Sequence, residues 1–197
     1  VVAEQRDRPI FDMSVSFHQA EQGPEHQTAT FEAPDPEELD TEQAVTAAFL
    51  EGEDISENFR AALLRRKPIE IRPVTRRHPL RPEKSAPVRQ AWLRATGLDS
   101  DDPLLHQAML AYVSDHSLMG AALLPHGVTF LSRDMQVASL DHTLWFHRPV
   151  RLDDWLFYDM ESPIATGGRG FTRGRIFNRS GELVASVAQE GLIRRQS

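Results

Sequence analysis

Three polar side chains stand out because each lies in a run that is otherwise apolar or small. Asp115 sits in LAYVSDHSLMGAALL, on a 3.6-residue stripe with Leu104, Ala108, Ala111, Leu118 or Met119, and Ala122. An ionised carboxylate on such a stripe gives up hydration, so it needs hydrogen-bond donors or chemistry to justify it; the plain alternative is a helix break or the rim of the stripe. Ser139 lies in the strand-like QVASLDHTLWFHRP, where a hydroxyl is a donor and acceptor that usually satisfies itself on backbone. Gln189, in LVASVAQEGLIR, alternates with Leu183, Ala185, Val187, Gly191 and Ile193, and an amide on that face requires partners.

Other chemistries lack their residues. The eight histidines have neither an HExxH motif nor a pair at four-residue helical spacing, so no metal site is expected. The chain has no cysteine, which removes disulfides, thiolate metal sites and a cysteine nucleophile. Neither GxGxxG, nor a Walker loop, nor a GxSxG elbow occurs; Gly167, Gly168 and Gly170 lack the helix and lysine of a phosphate loop and read as a strand-to-strand turn. No cofactor is expected.

The elements that must carry these groups follow from periodicity and punctuation. Phe11, Met13, Val15 and Phe17 alternate with polar positions after a turn at Arg6–Pro9, so residues 1–17 read as a strand hairpin. Residues 18 to about 41 hold Pro24, Pro34, Pro36 and seven acidic residues, and read as a solvated linker. Asp40 or Thr41 caps one short helix and Ser56 a second. From Pro68 the texture is strand (69–74), strand (88–95), a helix capped by Asp101 or Asp102 with Pro103 in its first turn and running from Leu104 to about Leu124, then strands near 135–148, 153–162, 169–178 and 182–194. That order predicts an α+β fold with one long helix on an antiparallel sheet. A weak repeat at an offset of 173 places Ile10-Phe11 on Leu183-Val184.

With 197 residues, 22 basic against 29 acidic side chains and a net charge of −7, the chain has the balance of an ordinary globular protein. The acidic balance argues against nucleic acid or an anionic membrane as partner. The apolar run Leu118–Leu124 is too short to span a bilayer, no secretory leader opens the chain and Arg195-Gln196-Ser197 is no peroxisomal address, so a cytoplasmic location is expected. Val1 in place of Met makes the chain read as a piece of a longer product.

The segments SDHSLM (114–119), PHG (125–127), QVASLDHTLWFHRPV (136–150) and VAQEG (187–191) resemble the acyl-CoA thioesterase II family, whose bacterial members are called TesB. The resemblance covers Pro68 to Arg194, together with FDMSVSF and EQGPEHQ. It implies a double hotdog, in which each antiparallel sheet wraps one long helix. Residues 1–17 then match the closing hairpin of a partial first hotdog, 18–67 a linker with two short helices, and 68–197 a complete second hotdog. The family's catalytic Asp, Thr or Ser, and Gln fall on Asp115, Ser139 and Gln189. The resemblance therefore implies hydrolysis of fatty acyl-CoA by a water that these three side chains position, with no metal.

A tunnel walled by Leu118, Met119, Leu123, Trp145 and Phe146 is expected for the acyl chain, and arginines for the phosphates of coenzyme A. Two other readings stay open. One is an acyl-CoA hydratase or dehydratase, for which His116 beside Asp115 is the candidate base; the other is a non-catalytic module that binds acyl-CoA or oligomerises. The exposed apolar face of 11–17 predicts a homo-oligomer.

Overall fold

The computed structural model describes residues 1–19 and 21–196; Ala20 of the linker and Ser197 of the C-terminal tripeptide lie outside the described residues. The chain opens on a hairpin, β1 (Val2–Gln5) and β2 (Arg8–Asp12), that pairs only with itself. Arg6 and Asp7 turn it, both at positive φ (52° and 59°), which matches the twist of a two-residue hairpin. The strand expected through Phe17 stops at Asp12. Met13 still exchanges backbone hydrogen bonds with Val1, at 2.7 and 2.8 Å, but beyond it the apolar alternation is unpaired among the described residues, and Phe17 is exposed.

Two capped helices come next. Thr41 accepts from the Ala44 amide at the start of α1 (Glu42–Leu50), and Ser56 from the Phe59 amide at the start of α2 (Glu57–Leu63). The main sheet contains β3 (Ile69–Pro73), β4 (Val88–Ala95), β5 (Met135–Ser139), β6 (Thr143–Phe146), β7 (Leu156–Thr166), β8 (Arg169–Asn178) and β9 (Leu183–Arg195). Every pairing is antiparallel, in the order β3-β4-β7-β8-β9-β5, and β6 lies on β9 beside β5.

The expected 135–148 strand is therefore two strands. β5 pairs with residues 191–195 of β9 and β6 with 185–188, and the bend between them faces Gln189 and Glu190. The bend is held by Leu140 and Asp141 amides on the Glu190 carbonyl and by the Glu190 amide on Asp141 Oδ1 at 2.8 Å.

The single long helix is also corrected. Asp102 caps α3 (Pro103–Asp115), which stops at Asp115. His116 is extended (φ −65°, ψ 122°), and Ser117 takes the left-handed region at φ 73°. A left-handed residue just past the last turn ends a helix, and a non-glycine there stores on the order of 1 kcal/mol of strain. A short turn, α4 (Gly120–Leu123), continues into 3₁₀ at Leu124–His126.

Alternate residues of the strands bury on opposite faces. One face packs Ile71, Ala91, Leu93, Tyr158, Met160, Ile176 and Val187 against Leu110 and Val113 of α3 and Leu118 and Ala121 beyond it. Close approach needs glycine here: a side chain at Gly191 would collide with Met119, and one at Gly174 with the Tyr158 ring. The helix face that is buried is His106, Leu110, Val113 and Ser114, not the stripe of Leu104, Ala108, Ala111 and Asp115, which is exposed.

The opposite sheet face carries Trp92, Trp155, Phe157 and Phe177, and the linker covers it. Phe31 stacks on Phe157 at 4.4 Å, the Trp92 indole donates to the Pro34 carbonyl at 2.9 Å, and Trp155 donates to Glu37 at 2.9 Å. The solvated linker is thus corrected over 29–39: its few apolar side chains meet an aromatic sheet face, and a single 3₁₀ turn at Pro36–Glu38, capped by Asp35, closes it.

Candidate active site

α3 delivers Asp115 on its last turn, β5 delivers Ser139 as its last residue, and β9 delivers Gln189 from its buried face. The three converge. Gln189 Nε2 lies 2.7 Å from Asp115 Oδ1 and 2.6 Å from Ser139 Oγ. Gln189 is fully buried, whereas Asp115 and Ser139 are exposed. Of the two readings of Asp115, the structure shows the helix break: Asp115 is the terminal residue of α3 and is exposed, with no next turn to cover it, although its carboxylate also has the Gln189 amide as a partner.

The donor count fixes the chemistry of the trio. A carboxylate has no proton to give, so the amide nitrogen, not the amide oxygen, must face Asp115. Both Nε2 protons are then used, one on Asp115 and one on Ser139. Ser139 accepts, which leaves its own proton to donate outward. Asp115 retains its second oxygen as an acceptor. Gln189 Oε1 is buried and has no partner among the described residues. One oxygen that takes a proton and one hydroxyl that gives one are thus held side by side at the surface.

A supporting layer that sequence reasoning left aside lies beneath. Ser114 is fully buried; its hydroxyl lies 2.9 Å from the Ala111 carbonyl and 2.8 Å from His142 Nε2. The Tyr158 hydroxyl donates to the Ser114 carbonyl at 2.7 Å. Burial, with the Asp115 charge adding to it, pushes the Tyr158 phenol well above its ordinary value, so it stays a donor. These contacts tie the end of α3 to β7 and to the β5–β6 bend. The LDH of LDHTLWFHRP is the only sequence signal of this layer: Asp141 pins the bend and His142 reaches Ser114.

His116 does not join the trio. Its Nε2 lies 3.2 Å from Lys67 Nζ and 4.0 Å from Glu42 Oε2. Burial first, and the Lys67 charge next, push its pKa below the ordinary imidazole value, and Glu42 opposes them only in part. The expected tunnel walls separate as well: Leu118, Met119 and Leu123 are core, whereas Trp145 and Phe146 are exposed. Two cavities, of about 460 and 270 Å³, flank the sheet, and neither is lined by Asp115, Ser139 or Gln189. Among the described residues no group of His, Asp and Glu has a metal-holding arrangement, and no helix is long and apolar enough to cross a membrane.

Residues 60–192 match the family model described as acyl-CoA thioesterase. Acyl-coenzyme A thioesterase 8 of Homo sapiens is 37% identical over 200 residues, which take in 98% of this chain and 62% of that protein. The chain thus spans about three fifths of the length of the curated relatives it matches. Among solved structures, the acyl-CoA thioesterase II TesB2 from Mycobacterium marinum superposes with a TM-score of 0.66 at 40% identity, covering 90% of this chain and 60% of that one. A hot dog fold protein from Alicyclobacillus acidocaldarius shares the fold alone, at a TM-score of 0.60 and 15% identity over 91% of this chain and 60% of that one. The α+β architecture is accordingly a hotdog, with its helix broken at Asp115.

Proposed function

The chain belongs to the acyl-CoA thioesterase family, and from that membership we propose that it hydrolyses fatty acyl-CoA to free fatty acid and coenzyme A. The observation that carries the reading is the Gln189 amide, which holds Asp115 and Ser139 together at 2.7 and 2.6 Å. In the reaction a water lies between the free oxygen of Asp115 and the Ser139 hydroxyl. Asp115 takes a proton from the water as its oxygen attacks the thioester carbonyl carbon. The tetrahedral intermediate collapses with cleavage of the carbon–sulfur bond, and the proton passes to the departing sulfur. That thiol, with a pKa of about 8.5 by analogy with cysteine, leaves without a strong acid. Ser139 acts as a donor that orients, not as a nucleophile, because its oxygen accepts from an amide and no base removes its proton.

The domain reading belongs to the same proposal: 68–197 as the complete second, catalytic hotdog, 18–67 as the linker with two short helices, and 1–17 as the closing hairpin of a partial first hotdog, a reading supported by its lack of pairing with the main sheet. The exposed Leu140 beside Ser139, with Leu104 and Tyr112 on α3 and with Trp145 and Phe146 on β6, supports a homo-oligomer in which a second copy walls the site. The hydratase alternative loses support because His116 is held by Lys67 and Glu42.

Thiol release from an acyl-CoA, followed with a disulfide reagent, tests the reading. Asp115→Asn removes the acceptor and should lower kcat/KM about 10²-fold or more. Undiminished turnover in that variant would overturn the mechanism. Hydration of an enoyl-CoA without thiol release would overturn the activity.

A further inference from the structure

The larger cavity, about 460 Å³, lies away from the trio, between α1, the 74–87 connection from β3 to β4, and the turns at 120–131. Part of its wall is apolar, but its charged groups do not balance. Arg76 reaches Asp40 at 3.4 Å, and Arg81 reaches Glu53 at 2.6 Å, with His78 on the same carboxylate at 3.3 Å. Arg77 is half-buried and gives Nη1 to the Ser85 hydroxyl at 2.8 Å; among the described residues it has no carboxylate partner. Arg89 reaches Glu42 alone, at 3.7 Å, and Glu42 is already held by Lys67 at 2.8 Å. The other carboxylate on the wall, Glu83, is exposed. One carboxylate thus serves Lys67 and Arg89, while Arg77 stands beside them without one.

Burial pushes the Arg89 guanidinium below its ordinary value, Glu42 opposes this, and the like charge of Arg77 adds to it. Partly buried guanidiniums in excess over carboxylates are a costly arrangement unless an anion completes it. The planar fork of arginine fits the oxygens of a phosphate. Room for the fork is built in: a side chain at Gly120 would lie 3.3 Å from Arg89 Nη1. The hydroxyls of Thr46 and Thr75 also line the wall.

We propose that this cavity takes a phosphate group on Arg77 and Arg89, and that the phosphate belongs to the coenzyme A end of the substrate. The identity of the ligand rests on the thioesterase reading; the existence of the site does not. The placement agrees with the chemistry. Contacts of 3.7 and 4.0 Å through the one carboxylate, Glu42, link Arg89 to His116, the residue after Asp115. A pantetheine arm of about twelve bonds equals roughly four extended residues, so the phosphate lies up to about 14 Å from the thioester carbonyl, at a separate site.

The test compares an acyl-CoA with the N-acetylcysteamine thioester of the same acid, which lacks the nucleotide. In Arg77→Ala, and in Arg77→Gln as a milder change, the rise in KM for acyl-CoA should exceed that for the short thioester about tenfold, and Arg77→Lys should recover part of it. Equal effects on both substrates, or none on either, overturn the assignment. Adenosine 3′,5′-bisphosphate should raise the melting temperature of the unaltered chain and not that of Arg77→Ala; no shift in the unaltered chain overturns the site.

Inorganic phosphate separates the sources. Competition with acyl-CoA but not with the short thioester supports the coenzyme A phosphate. Stabilisation without competition assigns the cavity to a free anion and overturns that source. Should neither thioester be cleaved, the thioesterase reading fails by itself, and the bisphosphate shift still decides the site.

Discussion

On the sheet face turned away from α3, Trp92 and Phe157 are 4% and 0% exposed, whereas at the β6 edge Trp145 and Phe146 are 50% and 39% exposed. Both regions are aromatic, and both belong to one sheet. The first is covered because a proline-rich stretch lies across it, with Phe31 stacked on Phe157 and indole N–H groups bonded to Pro34 and Glu37. Arg94 and Arg72 add their guanidiniums over the Trp155 ring, at 4.2 and 5.0 Å. The second has no such strap among the described residues, and it lies on β6, which follows Ser139 across the β5–β6 bend. Apolar surface that serves stability is sealed by the chain itself, while apolar surface on β6 is left for something else to meet.

The sharpest way to separate the two regions is to break the trio. Gln189→Ala should lower kcat/KM for thioester hydrolysis about 10²-fold, because Asp115 and Ser139 lose their common donor. A melting temperature near that of the unaltered chain would place the loss in the site and not in the fold. On the sealed side, Phe31→Ala should cost about 2 kcal/mol by denaturant titration, less than a fully buried phenylalanine, with kcat little changed. A loss of activity parallel to the loss of stability would join the two regions into one.

At the open edge, Trp145→Ala should cost below about 1 kcal/mol in the dilute chain. A cost equal to that of Phe31→Ala, growing with protein concentration, would mean that a second copy covers the edge in solution. The smallest effect concerns His116. Its pKa is below the ordinary value of 6.5, so the unfolded chain binds the proton more readily. Stability is full above about pH 6.5 and falls as the pH drops toward the folded-state value. His116→Gln should flatten that part of a stability–pH curve, leaving the contribution of His147, whose pKa is lowered by burial and by Arg148.

Much of the fold was legible because its signals are local. The strand at 88–95 and the strand at 169–178 fall at their expected bounds, since alternation and the flanking turns are read within a few residues. The caps at Thr41, Ser56 and Asp102 were legible for the same reason. The break after Asp115 was legible only as one of two alternatives. HisSerLeuMet contains no glycine or proline, and the left-handed turn falls on Ser117, a residue type that does not announce it. Misreading the helix there also misplaced its buried face, which runs through His106, Leu110, Val113 and Ser114. The linker reads as solvated because its polarity is genuine; Ala29, Phe31, Ala33 and Leu39 pack on the aromatic cluster, but only Phe31 and Leu39 of these are large, and two large apolar residues in an acidic stretch do not announce a core.

From the order of residues alone came the element types, the antiparallel α+β architecture and the three polar residues that interrupt apolar runs, because each depends on neighbours within a turn or a strand. Only the folded chain decided that a glutamine and a carboxylate 74 positions apart lie within a hydrogen bond, that the amide spends both protons on its two companions, and that the acid stands open to solvent. Those outcomes depend on where a helix stops against a sheet and on what covers each face. Packing over long sequence distances sets both.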